Sequence, residues 1–263
     1  MKKQYIIPVF VPHLGCPNDC IFCNQKKITG MTKQTTKEDV AKTVEYYLEN
    51  FKDKTAYVEI AFFGGSFTAI EEKVQTELLE AAYEYIKAKK VQAIRISTRP
   101  DAIDKTILKR LKKYGVKTIE LGVQSANDYI LNASKRGHNF EQVIKASKLI
   151  RWYGFTLGHQ MMVGLPESTK IDELNTAKSS AKLKPKLMRI YPVLVIKDTE
   201  LEKQYQQELY KPLTVNQAVE ICKELVFFFN KKKISVIRVG LQSTDTILAP
   251  ELEESSVAAR TIS

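Results

Sequence analysis

The feature that most constrains the fold is an alternation of short apolar runs with longer charged segments of helical character. The apolar runs, each long enough for one strand, span residues 5–11, 57–63, 93–97, 117–122, 156–163, 187–192 and 235–239. The helical segments span about 37–50, 71–89, 104–113, 126–133, 140–153, 170–182 and 214–232. This order of six strand–helix units and a last strand predicts a parallel sheet with helices outside it.

Polar and glycine-containing turns follow the carboxyl ends of several predicted strands. Their positions help to decide whether the parallel sheet is open or closes into a partial barrel. These turns are Gly64-Gly65-Ser66, Ser97-Thr98-Arg99, Gln124-Ser125 and Gly164-Leu165-Pro166. In α/β barrels the active site is built at this edge of the strands. A single ring of such turns favours an α/β fold with a partial (β/α)6, TIM-like barrel.

Composition limits the class of protein. A chain of 263 residues with 44% hydrophobic content can bury one sizeable core, in which Cys222 and Trp152 are expected to pack. No apolar run approaches the ~20 residues of a membrane span, and no targeting segment is visible, so the expected location is the cytoplasm without a membrane partner. The net charge of +11 favours a polyanionic partner such as RNA, although lysines scattered over solvated helices explain it equally simply.

Three cysteines, Cys16, Cys20 and Cys23, stand in the run GCPNDCIFC with C-x3-C-x2-C spacing. The Gly, Pro, Asn and Asp residues between them indicate a loop, and four cysteines in the whole chain disfavour a disulfide framework. Three thiolates are one fewer than a cubane iron–sulfur cluster needs, which leaves one iron open to a small molecule. Zinc remains the alternative, because His13 would complete a closed Cys3His site.

The cysteine spacing, with Phe22 before the third cysteine, resembles the signature of the radical S-adenosylmethionine (SAM) superfamily. Further matches follow in order as FFGGSFT, STRPD, IELGVQS, KRGH, MMVGLP and RIYP. Over roughly residues 5–245 the chain resembles the Elongator-catalytic-subunit-like branch, in a short bacterial form without the acetyltransferase half. The resemblance implies a [4Fe–4S] cluster on Cys16, Cys20 and Cys23, and SAM that is reductively cleaved to a 5′-deoxyadenosyl radical.

The resemblance also implies a set of SAM contacts along the strand ends, although it leaves the catalytic residue unassigned. The expected contacts are Phe22, Gly64, Gly65, Ser66, Ser97, Gln124, Arg136, Gln160 and the backbone around Ile190. Arg136 is expected to clamp the SAM carboxylate, and Ser66 stands where the superfamily has an acid. Glu120 needs a polar partner that SAM would provide. His159 is either a buried, hydrogen-bonded histidine or an active-site residue.

The Elongator branch acts on the wobble uridine of transfer RNA, so the resemblance implies RNA or tRNA as the substrate. It also implies a flavodoxin- or ferredoxin-type protein as the one-electron reductant. The expected domain organisation is a radical SAM core over 1–245, with the cluster loop at 13–24, and a polar tail at 246–263 that is either natural or a truncated end. The rival hypothesis is a non-catalytic RNA-binding or scaffold protein with a structural zinc or iron–sulfur site.

Overall fold

The computed structural model describes residues 4–11, 20–24 and 34–240. Its centre is one seven-stranded sheet in which every neighbouring pair is parallel and the strand order follows the chain. The strands are β1 (Gln4–Val11), β2 (Tyr57–Gly64), β3 (Ala93–Thr98), β4 (Val116–Gln124), β5 (Thr156–Val163), β6 (Leu187–Pro192) and β7 (Ser235–Val239). The sheet curls into a half-barrel with its helices outside, which confirms the predicted fold.

The helices on the outer face are α1 (Lys37–Asn50), α2 (Glu72–Lys87), α3 (Lys105–Lys113), α4 (Asp128–Ala133), α5 (Phe140–Trp152), α6 (Lys170–Lys182), α7 (Glu200–Gln206) and α8 (Val215–Lys231). Thr36 begins α1 as predicted, in a reciprocal capping box with Asp39. Short α7 and the 3-10 turns Phe67–Ala69 and Pro100–Ala102 were not predicted. No helix within the described ranges has the length and apolar character needed to cross a membrane.

Burial divides the molecule into three apolar clusters. The largest joins β1–β5 to α1–α3 and α5, and a second joins β5–β7 to α6 and α8, where Cys222 is buried as expected. The third, here called the mouth core, contains Ile21, Ile130, Leu165, Val193, Val195, Leu201 and Tyr210. The expectation that Trp152 packs into the core is wrong, because the residue is 75% exposed; its ring lies edge-on to that of Tyr153.

Candidate active site

The described part of the cysteine loop is a tight turn held at the carboxyl end of the barrel. The Cys23 N–H donates to the Cys20 carbonyl at 3.0 Å, which places both thiols on one turn. The intervening Ile21 is buried in the mouth core, accepts a hydrogen bond from Leu201 at 2.8 Å, and donates one to the Ser134 carbonyl at 3.3 Å. The loop is therefore anchored to the elements around α4 and α7.

The third cysteine, Cys16, and the alternative ligand His13 lie outside the described residues, so the complete ligand set stays a prediction. Within ranges 4–11, 20–24 and 34–240, no three His, Cys, Asp or Glu side chains are grouped closely enough to hold a metal ion. The two described thiols have the donor chemistry that an iron–sulfur cluster requires and that zinc also accepts.

Arg136 lies directly beside the cysteine turn. Its Nη1 donates to the Cys20 Sγ at 3.4 Å and its Nη2 donates to the Gly122 carbonyl at 3.2 Å. Gly122 leaves room for this guanidinium, since a Cβ at that position would lie 2.7 Å from Nη2 of Arg136 and would displace it. The buried Nε of Arg136 has no partner among the described residues. An unpaired buried N–H is costly, so this atom fits a site that receives an anionic ligand group.

A second buried arginine, Arg99, supports the first. It is fully buried, donates from Nη2 to the Arg136 carbonyl at 2.8 Å, and donates from Nε to Asp101 at 2.5 Å. The STRPD turn thus holds the KRGH segment in place. Nearby, burial and then the charge of Arg136 lower the pKa of His138 to about 4, which leaves the ring neutral at pH 7. Its Nε2 therefore carries the hydrogen that bonds the Val123 carbonyl at 3.3 Å.

The glycine pair after β2 has a structural reason that is independent of any ligand. Gly64 has φ +105°, and a Cβ there would lie 2.5 Å from the Val11 carbonyl oxygen. The Gly65 N–H donates to the same oxygen at 2.9 Å. The pair closes the β1–β2 junction, and the buried Ser66 begins the following 3-10 turn. Contacts of these three residues with SAM stay a prediction.

Three of the predicted polar contacts face the same space at the carboxyl ends of the strands. Gln160 on β5 donates from Nε2 to Oε1 of Gln124 at 3.4 Å, and Gln124 has φ +64° where the β4–β5 register shifts. A left-handed non-glycine residue is uncommon and is typical of functional sites. Ser97 on β3 is half-buried and lies opposite Glu120 in the β3–β4 register.

Two further predicted contacts lie near this space but differ in what they can offer a ligand. Phe22 is half-buried against the mouth core, beside the cysteine turn. The Ile190 side chain is buried in the cluster of β5–β7 with α6 and α8, and its carbonyl already accepts from the Gly240 N–H at 2.9 Å. Any ligand contact at this position therefore uses the neighbouring backbone of β6.

The interior of the barrel contains a charge network that sequence reasoning missed. Arg95 donates to Glu59 at 2.6 and 2.9 Å and to Glu120 at 2.6 Å, while Arg189 bonds the other oxygen of Glu120 and donates to the Tyr191 hydroxyl at 3.2 Å. Two acids and two arginines balance in charge. The expectation that Glu120 needs SAM as its partner is wrong, because both arginines supply one. A charged residue in the middle of each of four apolar strands is the signal that could have revealed the network.

His159 lies on the opposite face of β5 and takes no part in this site. Its Nε2 is 2.9 Å from the Ser147 hydroxyl and its Nδ1 is 2.6 Å from the Ser180 hydroxyl, on α5 and α6 respectively. Complete burial lowers the pKa of His159 to about 3, so the ring is neutral. Of the two interpretations open from sequence, the buried and hydrogen-bonded histidine is confirmed.

An α/β half-barrel with a thiol turn and polar residues at the carboxyl ends of its strands is the architecture of a barrel enzyme. The Radical SAM superfamily profile matches residues 10–179, and the Radical SAM C-terminal domain profile matches residues 185–260. The chain belongs to the radical SAM superfamily.

Relatives place the chain near the Elongator branch, as the motifs indicated. An uncharacterized protein of Methanocaldococcus jannaschii is 30% identical over 230 residues, which is 84% of this chain and 70% of that protein. The tRNA uridine(34) acetyltransferase of the same organism is 30% identical over 194 residues, 66% of this chain but 36% of its own length. Human Elongator complex protein 3 is 26% identical over 189 residues, 64% of this chain and 35% of that protein.

Solved structures share the fold. Elp3 of Methanocaldococcus infernus with an N-terminal deletion superposes with a TM-score of 0.73 at 23% identity, covering 94% of this chain and 61% of that one. Coproporphyrinogen III oxidase of Escherichia coli superposes with a TM-score of 0.60 at 18% identity, covering 88% of this chain and 53% of that one. Both likenesses concern the barrel rather than the substrate.

Proposed function

We propose that Cys16, Cys20 and Cys23 bind a [4Fe–4S] cluster, that SAM binds at the adjoining strand ends, and that the enzyme modifies RNA. The observation that carries the proposal is the position of Arg136, which donates to the Cys20 sulfur at 3.4 Å while its buried Nε has no partner among the described residues. A positive charge beside a thiolate ligand stabilises that ligand, and a free N–H suits an incoming carboxylate.

When both are bound, the cluster and SAM supply a 5′-deoxyadenosyl radical through the reductive cleavage of SAM. The residues of the chain supply position and shelter. Gln124, Gln160 and Ser97 present amide and hydroxyl groups towards the bound cofactor, and Phe22 presents an aromatic ring beside the cysteine turn. The balanced network around Glu120 closes the barrel floor with buried side chains, which limits the access of water to a reactive intermediate.

The RNA substrate is supported by relatives and by charge. Relatives 26–30% identical are described as tRNA uridine(34) acetyltransferases, although this chain spans only 36–52% of their length. The net charge of +11 would attract a polyanion and would make binding sensitive to salt. Electrons for the cluster would come from a one-electron donor of flavodoxin or ferredoxin type.

The test begins with anaerobic purification and reconstitution of the full chain, followed by iron, sulfide and zinc counts. Dithionite and SAM are then added, and 5′-deoxyadenosine is quantified by mass spectrometry with and without bulk tRNA. Four irons and four sulfides per chain, with turnover that tRNA stimulates, would support the whole proposal. Turnover that is indifferent to tRNA would overturn the RNA substrate alone.

Matched variants separate cluster ligation from general damage to the fold. Cys20→Ala is expected to abolish both the cluster and SAM cleavage. Cys222→Ala is expected to keep both, because Cys222 lies on α8 and is buried in the apolar cluster of β5–β7 with α6 and α8. A colourless protein that contains stoichiometric zinc and does not cleave SAM would overturn the enzyme assignment in favour of a structural metal site.

A further inference from the structure

A basic cavity opens at the end of the barrel opposite the cysteine turn. It has a volume of about 500 Å³ and lies where the chain enters β5, β6 and β7, at the amino ends of these strands. Its cationic lining residues are Arg151, Lys184, Lys186, Lys232 and Lys233. No acidic residue is among its lining residues, so five positive charges converge on one concave surface.

The side-chain ammonium groups of the four cavity lysines have no structural partner among the described residues. Within the described residues none of their ammonium groups has an ion pair or a hydrogen bond, and all four residues are exposed. Only Arg151 has a partner, since its Nη1 donates to the Leu183 carbonyl at 3.4 Å. Cations that are neither paired nor bonded to the backbone remain available to a ligand.

The simplest structural explanation of these lysines is that they neutralise the partial negative charge at the carboxyl ends of helices. The size of that charge is too small to account for all of them. Helices α5, α6 and α8 all end at the cavity, and each carboxyl end carries roughly half a negative charge. Three ends together offset about one and a half of the five positive charges. In addition, the Phe155 N–H bonds the Ile150 carbonyl and the Ile234 N–H bonds the Phe229 carbonyl, which satisfies two of these ends without side chains.

The backbone at these three helix ends has the same conformation. The residue after each helix cap is left-handed, namely Gly154 at φ +83°, Lys184 at φ +55° and Lys233 at φ +57°. Glycine adopts this conformation without strain and is the usual choice at this position. At two of these three positions the chain has lysine, as it also does at Lys89 and Lys135 outside the cavity, so the conformation places Lys184 and Lys233 on the cavity wall without itself indicating a ligand.

We propose that this cavity binds closely spaced phosphate groups, from either a free oligophosphate or a polynucleotide backbone. Lysine ammonium groups bind phosphate as compact point charges, and a net excess of roughly three charges matches an anion of about that charge. The site is independent of the cluster and of SAM.

The binding test uses the full chain with inorganic triphosphate, measured by calorimetry, and a single-stranded oligouridylate, measured by fluorescence anisotropy at several salt concentrations. The test variant is Lys186→Gln/Lys232→Gln, and the matched control is Lys105→Gln/Lys109→Gln on α3, which removes the same charge from exposed positions outside the cavity. Circular dichroism melts establish that each variant is folded.

The cavity variant is expected to lose about tenfold or more in triphosphate affinity, and the control less than about twofold. If RNA is the source of the phosphates, the plot of the logarithm of the RNA association constant against the logarithm of the salt concentration also becomes shallower, by about 1.4. Each lysine–phosphate contact on a single strand contributes about 0.7 to that slope, and the variant removes two lysines. An unchanged RNA slope with weakened triphosphate binding assigns the site to a free oligophosphate. Equal losses in the two variants, no triphosphate binding by the wild type, or citrate binding as tightly as triphosphate would each overturn the proposal.

Discussion

Gly64→Ala distinguishes a glycine required by the fold from a glycine required by a ligand. At φ +105° an alanine is strained by about 1–3 kcal/mol. Its Cβ would also lie 2.5 Å from the Val11 carbonyl oxygen, which belongs to the backbone and cannot rotate away. β1 would have to shift to relieve this contact. Such a shift costs about as much as inserting an extra methyl group into a packed core, a further ~1–3 kcal/mol. The expected total loss in the free energy of unfolding is about 2–6 kcal/mol.

The measurement is urea denaturation of the protein without cluster or SAM, so that no ligand contributes to stability. Gly154→Ala is the matched control, because Gly154 also has a positive φ, of +83°, but nothing lies within 4 Å of its added Cβ. The control is expected to lose only the strain, about 1–2 kcal/mol. If Gly64→Ala loses no more stability than Gly154→Ala in the ligand-free protein, the steric reasoning is refuted and a ligand-binding reason for Gly64 gains weight.

Other perturbations test buried groups. His159→Gln should make the free energy of unfolding less dependent on pH in the acid range. Burial lowers the pKa of His159 to about 3, so the neutral ring stabilises the fold fully above pH 6.5. This stabilisation is lost at up to ~1.4 kcal/mol per pH unit as the pH falls towards 3. Glu173→Gln should remove a pH dependence of the opposite sign. Burial raises the pKa of Glu173 to about 7, so the free energy of unfolding of the wild type decreases as the pH rises from 4.5 to 7. Glu120→Gln should lower the unfolding free energy by up to about 3–5 kcal/mol, because buried Arg95 and part-buried Arg189 lose their shared carboxylate while only Arg95 keeps a second one, on Glu59. Tyr210→Phe should cost about 1–3 kcal/mol, because the buried Gly164 carbonyl loses its 2.7 Å hydrogen bond.

Each of these variants has a result that would contradict it. Guanidinium or urea titrations at several pH values would show an unchanged slope for His159→Gln or Glu173→Gln if the pKa shifts were wrong. A melting temperature for Glu120→Gln equal to that of the wild type would mean that the barrel charges are solvated. Tyr210→Phe with wild-type stability would show that water replaces the lost hydroxyl.

Much of the fold is predictable because it depends on local patterns. The alternation of apolar strands with amphipathic helices indicated the parallel half-barrel, and residues such as Thr36 and Gly115 marked helix ends within one or two positions. Short α7 was missed, since seven residues contain too few turns to show a helical period. The cysteine run predicts a metal ligand set without tertiary information, because its three thiols stand within nine residues of the chain.

The partners of the buried charges were not predictable in this way. Cys20 and Arg136 are 116 residues apart, and Glu120 meets arginines 25 residues before it and 69 residues after it. These pairings depend on strand register and on the curvature of the sheet, which follow from the packing of the whole chain. The sequence by itself therefore determined the class of fold and the family, and it predicted the cysteine ligands. Only the tertiary structure decided that Arg136 lies at the Cys20 sulfur, that Glu120 is neutralised within the barrel, and that Gly64 is needed for the β1–β2 junction.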